Sequence, residues 1–288
     1  MAAIDPRLRI GSVTLAVSDL PRSADFYERV LGLPLIARDE HTARLGPDPE
    51  HAALVLGDIA DPTPLPPAAT GLYHVAWLHP NRAALAESVR RIAVARWPFE
   101  GASDHGVSEA LYLSDPDGLG IEIYADRPRE RWERAPDGHG VRMVTLPLDL
   151  DDLLEQFPGE PGPAVAPETG VGHVHLKVSD VSRTAAFYRD ALGLEERAQL
   201  PSAAFLAAGG YHHHVGLNSW QSAGAASASD TAPGLRLVEL ELEDAPALDA
   251  LERTLEDTLG GELESAREGD GELSLRDPDG QLLSFSHR

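Results

Sequence analysis

The chain contains twelve histidines and no cysteine. Thiolate nucleophiles, disulfides and zinc–thiolate sites are therefore excluded, and any metal must be held by imidazole and carboxylate. One stretch places a carboxylate where it could serve. Residues 105–124 read HGVSEALYLSDPDGLGIEIY, which predicts two strands joined by a tight turn. Leu111 and Leu113 alternate with Ala110, Tyr112 and Ser114; Ile121 and Ile123 alternate with Gly120, Glu122 and Tyr124. Successive side chains of a strand point to opposite faces, so the aliphatic residues face a core and Glu122 faces the other way. That second face is concave if the sheet curls. A carboxylate on it is either a solvated outer-face group or a ligand. Between the strands, Asp115-Pro116-Asp117-Gly118 is a turn in which Pro presets φ and Gly supplies a positive φ.

The elements that must position such residues repeat along the chain. Residues 11–32 (GSVTLAVSDLPRSADFYERVLG) and 172–193 (GHVHLKVSDVSRTAAFYRDALG) share V-x-L-x-V-S-D, A-x-F-Y and L-G. Each reads as a strand with Val13, Leu15 and Val17 or their counterparts inward, a Ser-Asp helix start, and an amphipathic helix ending at Gly. Three strand-like segments follow, ending near Leu56 and Leu217. Two weaker copies occupy 72–124 and 235–287, with helices predicted over 82–95 and 246–259 and a DPDG turn in each, at 115–118 and 277–280. The fold class is α+β: four β-α-β-β-β modules forming two curled-sheet domains. The organisation is an N-terminal pair of modules at 8–126, a connecting extension and linker at 127–170, and a C-terminal pair at 171–288. Residues 58–71 and 158–170 are Pro/Gly-rich connectors, and 221–234 read as a mobile loop.

Composition narrows the function. The chain has 288 residues, 42% hydrophobic and 25% charged, ordinary for a globular protein of two domains. A formal net charge of −23 repels nucleic acid and anionic membrane surfaces. Lys177 is the single lysine. No signal peptide is visible in MAAIDPRLRI and no apolar run reaches membrane-spanning length, so a cytoplasmic location is expected.

Repeated βαβββ units with the V-S-D and A-x-F-Y-x-x-x-L-G signatures resemble the vicinal-oxygen-chelate superfamily, which holds glyoxalases, fosfomycin and bleomycin resistance proteins, and extradiol ring-cleaving dioxygenases. The resemblance covers nearly all of the chain outside 126–170. It implies that two units pair to enclose a metal, with ligands near the start of a unit's first strand and in the middle of its last. At those positions the first unit has Ser12, the second His74 and Glu122, the third His173, and the fourth Leu237 and Ser284. The implied metal set is His74, Glu122 and His173. Alternation agrees: Tyr73, Val75 and Trp77 share one face opposite His74, and Val174, Leu176 and Val178 share one opposite His173 and His175. Because the ligands come from the second and third units, those two units are expected to close into one sheet. The first and fourth would then form a pseudo-site.

Two histidines and one carboxylate with open positions suit non-haem Fe(II); Mn(II) and Zn(II) fit the same donors. The resemblance further implies an acid–base His213 in YHHHVGLN, with His212 and His214 as alternatives because alternation puts His213 on the wrong face unless the strand bulges. It also implies Tyr112 as a group that hydrogen-bonds a ligating substrate oxygen, and His105 as one that stabilises that oxygen or closes the site. His175 shares the face of His173. Asp126-Arg127-Pro128-Arg129 reads as a clamp on the site or, more simply, as exposed ion pairs. His41, His51, His79, His139 and His287 are placed in loops or on edges and assigned no role. The expected activity is an extradiol dioxygenase of the catechol 2,3-dioxygenase type, using Fe(II), an aromatic diol and O2. The alternatives are a glyoxalase-type isomerase or lyase with a fourth protein ligand, and a metal-free binding protein of the resistance type. Surfaces left free by the sheet pairing could support a homo-oligomer.

Overall fold

The structure, a computed structural model, describes residues 3–135, 138, 140–260, 266–268 and 271–288. His139 lies outside the described residues. Four modules follow one another. The first runs β1 (Arg9–Val17), α1 (Leu20–Phe26), β2 (Leu35–Arg38), β3 (Thr42–Leu45) and β4 (Leu54–Asp58). The second runs β5 (Gly71–His79), α2 (Arg82–Val94), β6 (Gly101–Asp104), β7 (Ser108–Ser114) and β8 (Gly120–Asp126). A short helix α3 (Leu150–Glu155) interrupts the extension. The third module is β9 (Gly170–Lys177), α4 (Val181–Ala186), β10 (Glu195–Leu200), β11 (Ala203–Ala207) and β12 (Val215–Asn218). The fourth is β13 (Gly234–Leu242), α5 (Ala245–Leu259), β14 (Ala266–Glu268), β15 (Glu272–Arg276) and β16 (Leu282–His287).

The module helices start as their residues dictate. Asp19, Asn81, Asp180 and Asp244 each adopt extended backbone and accept a hydrogen bond from the amide three residues on, an interaction worth about 1 kcal/mol per cap. After α1 and α4 the helix widens into a π-turn, Tyr27–Leu31 and Phe187–Ala191, a feature the 3.6-residue pattern does not announce. Gly32 ends the first of them at φ 85°.

The strands form two eight-stranded sheets. One has the order β14-β15-β16-β13-β1-β4-β3-β2 and joins the fourth module to the first; the other has the order β10-β11-β12-β9-β5-β8-β7-β6 and joins the third to the second. This is the pairing expected from the candidate ligand positions. Each sheet thus takes one module from either side of the 127–170 extension. The DPDG turns tie modules the other way. Asp117 accepts from the Ser18 amide at 2.8 Å and binds Arg22 at the start of the first module's helix. Asp279 likewise accepts from the Ser179 amide at 2.9 Å and the Thr184 hydroxyl at 2.7 Å in the third.

The helices and the inner sheet faces enclose one apolar core that includes Val13, Leu15, Val17, Val75, Trp77, Ile121, Ile123, Val174 and Leu176. Tyr73 departs from the expected alternation. In the pairing of β5 with β9, Leu72 faces Leu176 and His74 faces His175, so Tyr73 is the extra residue of a bulge. It leaves the core face and is partly exposed beside the rings of His74, His175 and Trp220. His79 is also not an edge residue. It is buried at the end of β5, with Nε2 2.8 Å from the Ser88 hydroxyl and Nδ1 3.2 Å from the Trp77 carbonyl. Burial lowers its pKa to about 4. No described helix is long and apolar enough to cross a membrane.

Candidate metal centre and its surroundings

Sheet register brings the candidate ligands together. In one cross-strand row His173 of β9 faces Ala76 of β5, Ala76 faces Glu122 of β8, and Glu122 faces Tyr112 of β7. Ala76, with a single methyl group, stands between the histidine and the carboxylate. His74 sits two positions before Ala76 on the same face, opposite His175. One donor atom from each of His74, Glu122 and His173 lies within 4.8 Å of the others, and all three residues are buried. The Glu122 Oε2 is 3.0 Å from His74 Nε2 and 3.3 Å from His173 Nε2.

Burial raises the Glu122 carboxyl, but the nearby His173, its hydrogen bond, and the nearby His74 outweigh it and hold the group well below the usual carboxylate range. Burial pushes His173 down to about 4, against the pull of Glu122. At neutral pH the cluster is therefore one anion beside a neutral His173 imidazole, the protonation state that a divalent ion requires of its ligands. The His74 Nε2 is enclosed and lacks hydrogen-bond alignment to Glu122 despite the 3.0 Å separation. A buried lone pair without a partner costs free energy unless something fills the place. The donor set, its charge and this orphaned nitrogen all fit a metal ion.

Tyr112 and His105 form a linked pair next to the triad. The His105 Nδ1 is 2.7 Å from the Val144 carbonyl, which can only accept, so Nδ1 carries the proton. The Tyr112 hydroxyl, 2.7 Å from Nε2, then donates to it. The Tyr112 ring is 5.7 Å from that of His74. Burial and the nearby Glu122 charge raise the phenol well above its ordinary value, so it stays protonated. The extension positions His105: Leu146 bridges Asp104, and Val144 supplies both the carbonyl for Nδ1 and an amide for the His105 backbone oxygen.

His213 also reaches the site. Residues 211–214 precede β12, with bends at His212 and His214, so strand alternation does not govern them. The His213 ring lies 4.0 Å from that of His173 and 5.0 Å from Phe205. Burial first, then the neighbouring histidines, push its pKa well below the usual range. His212 turns elsewhere, to Asp126 at 2.9 Å and to His213 at 2.8 Å. His214 accepts from the Ala208 amide at 3.2 Å. His175 is buried beside His74, with ring centres 5.0 Å apart. Of the Asp126–Arg129 segment, Arg127 alone makes the expected carboxylate pairs among the described residues, with Asp104 at 2.7 Å and Glu109 at 3.2 Å. Asp126 instead holds His212. Neither this link nor the contribution of Val144 carries a local signal in sequence, because each joins residues brought together only by the fold.

The family model for the Glyoxalase/Bleomycin resistance protein/Dioxygenase superfamily matches residues 9–123 and 170–285. The chain belongs to that superfamily. The catechol-2,3-dioxygenase of Bacillus subtilis (strain 168) is 40% identical over 252 residues, spanning 86% of this chain and 88% of the relative. The biphenyl-2,3-diol 1,2-dioxygenase 3 of Rhodococcus globerulus is 27% identical over 142 residues, 48% of this chain and 73% of that protein. These relatives place the chain in the family of the ring-cleaving dioxygenases. Glyoxalase I from Zea mays superposes with a TM-score of 0.57 at 18% identity, covering 97% of this chain and 92% of that one; at that identity the likeness shows the shared fold alone.

Proposed function

We propose that the chain is an extradiol dioxygenase that cleaves catechol-type aromatic diols with O2 at a non-haem Fe(II) centre held by His74, Glu122 and His173. The observation that supports this best is the buried His-Glu-His cluster, three donors on one sheet face within 4.8 Å of one another, in a chain 40% identical to a catechol-2,3-dioxygenase. When bound, Fe(II) supplies the electron path by which a diol and dioxygen react; Mn(II) suits the same donors.

The chain's own groups then have distinct tasks. His213, neutral beside His173, takes the proton of a diol hydroxyl. Tyr112, still protonated, donates its hydroxyl hydrogen bond to His105 Nε2 and so presents oxygen lone pairs that receive and orient the second hydroxyl. His105 acts through Tyr112. The buried triad and the rings of Tyr73, His175 and Trp220 beside it limit water at the reacting centre. The bond broken lies beside the diol, giving a ring-opened semialdehyde. The glyoxalase-type alternative needs a fourth protein donor from His212 or His214, and both are engaged away from the triad. A cytoplasmic location fits a cysteine-free chain.

Catechol added in air to the Fe(II)-loaded protein should yield a yellow product. Glu122→Ala should lose both metal and colour. Full activity in metal-stripped protein would end this reading.

A further inference from the structure

We infer that Asp126 and His212 form a positioning relay that sets the tautomer of His213, leaving Nε2 as its unprotonated nitrogen. The inference rests on the reading of His213 as the acid–base group. Asp126 closes β8, four residues beyond Glu122 on the same strand. Its Oδ1 lies 2.9 Å from His212 Nε2. A carboxylate only accepts, so the His212 proton sits on Nε2. In a neutral imidazole the other nitrogen then has a lone pair, and His212 Nδ1 lies 2.8 Å from His213 Nδ1. The His213 proton must therefore be on Nδ1, pointing into the relay. Among the described residues His213 Nε2 has no hydrogen-bond partner, and it is not one of the enclosed orphan atoms.

The surroundings hold the relay in place. The fully enclosed His212 ring is packed against Tyr211 at 4.1 Å, Trp132 at 5.5 Å and Tyr124 at 6.0 Å. Trp132 is fixed by its indole N–H, which donates to the Arg127 carbonyl at 2.8 Å. These contacts leave His212 little freedom to turn its nitrogens around. Strand β8 thus carries both a triad carboxylate and, four residues further along the strand, the carboxylate that orients the base on the opposite module. Asp126 and His212 are positioning residues; neither lies in the triad.

The decisive experiment is histidine 15N NMR on the Zn(II)-loaded, diamagnetic protein, with His212→Gln used to assign the pair. The expected pattern is a protonated Nδ1 and bare Nε2 on His213, with the reverse on His212. A bare Nδ1 on His213, or a His212 protonated on both nitrogens, overturns the relay. The kinetic counterpart is Asp126→Leu in the Fe(II)-loaded enzyme. It should lose roughly 10- to 100-fold in kcat with metal content kept and KM within about threefold of the parent, and Asp126→Glu should recover most of the loss. Loss of metal, or a change in KM alone, would mark a merely structural role and refute the inference. Expected tautomers in a protein that fails to open catechol would sink the functional reading and leave the relay standing.

Discussion

The two sheets share one backbone plan and differ in what they present on one face. In the sheet of the second and third modules the central row is His173, Ala76, Glu122 and Tyr112. In the sheet of the first and fourth modules the same row is Ser12, Glu239, Ser284 and Ser274, and Leu237 stands where His74 would be. A carboxylate is present in both, but at different stations. Glu122 meets two imidazoles, His74 and His173. Glu239 accepts from the Ser12 hydroxyl, and the Ser284 hydroxyl donates to Glu272 at 2.5 Å. Hydroxyls quench the carboxylates of one sheet, whereas the other leaves donors converging on a shared point. The fold supplies the cup twice, and in the proposed reading three side chains, His74, Glu122 and His173, make one cup fit for an ion.

Changes that erase or transplant this difference should have the largest effects. Glu122→Ser gives the active row the residue of the silent one. Ring cleavage should fall by at least about 1,000-fold, with the metal lost, as read by elemental analysis and catechol turnover. The converse graft, Ser12→His, Leu237→His and Ser284→Glu with Glu239→Ala, should raise the bound divalent ion from one to two per chain. A graft that folds and binds no second ion would show that the backbone frames are not equivalent. Tyr112→Phe, which makes its row as free of phenol as that of Ser274, should lower kcat roughly 10- to 100-fold while metal content stays.

A smaller contrast concerns pH. His79 ends β5 where Leu242 ends β13, and both are buried. The folded His79 has its pKa lowered to about 4 by burial, whereas the unfolded residue takes up a proton near 6.5. Between those values the unfolded state binds more protons, so stability is lost as pH falls from about 6.5 toward about 4 and is flat in this respect below. His79→Leu should remove on the order of 2 kcal/mol of the loss seen between pH 7 and pH 5, measured by urea unfolding of both proteins. An unchanged loss would place the acid sensitivity elsewhere.

Much of this contrast is legible in sequence because it rests on period-two alternation. Val75, Trp77, Ile121 and Ile123 mark the core face, and His74, Glu122 and His173 fall opposite. The pairing of the second module with the third is legible once the family resemblance says where in each unit the candidate ligands stand. Alternation fails where the backbone breaks step: at Tyr73, displaced by a bulge, and at His213, which precedes its strand. Neither shift leaves a mark in residue type. His79 misleads for another reason, since a strand-end position says nothing about whether a helix covers it, and Ser88 of α2 does. The tasks of Asp126 and Val144 depend on contacts between segments 86 and 39 residues apart, beyond the reach of any local pattern.

The most direct test of the central claim is metal analysis of protein purified without added metal and then titrated anaerobically with Fe(II). One ion per chain is expected, with binding abolished in His74→Ala, Glu122→Ala and His173→Ala alike and unaffected by Ser12→Ala or Ser284→Ala. Stoichiometric binding that survives removal of any one of the three residues would contradict the account.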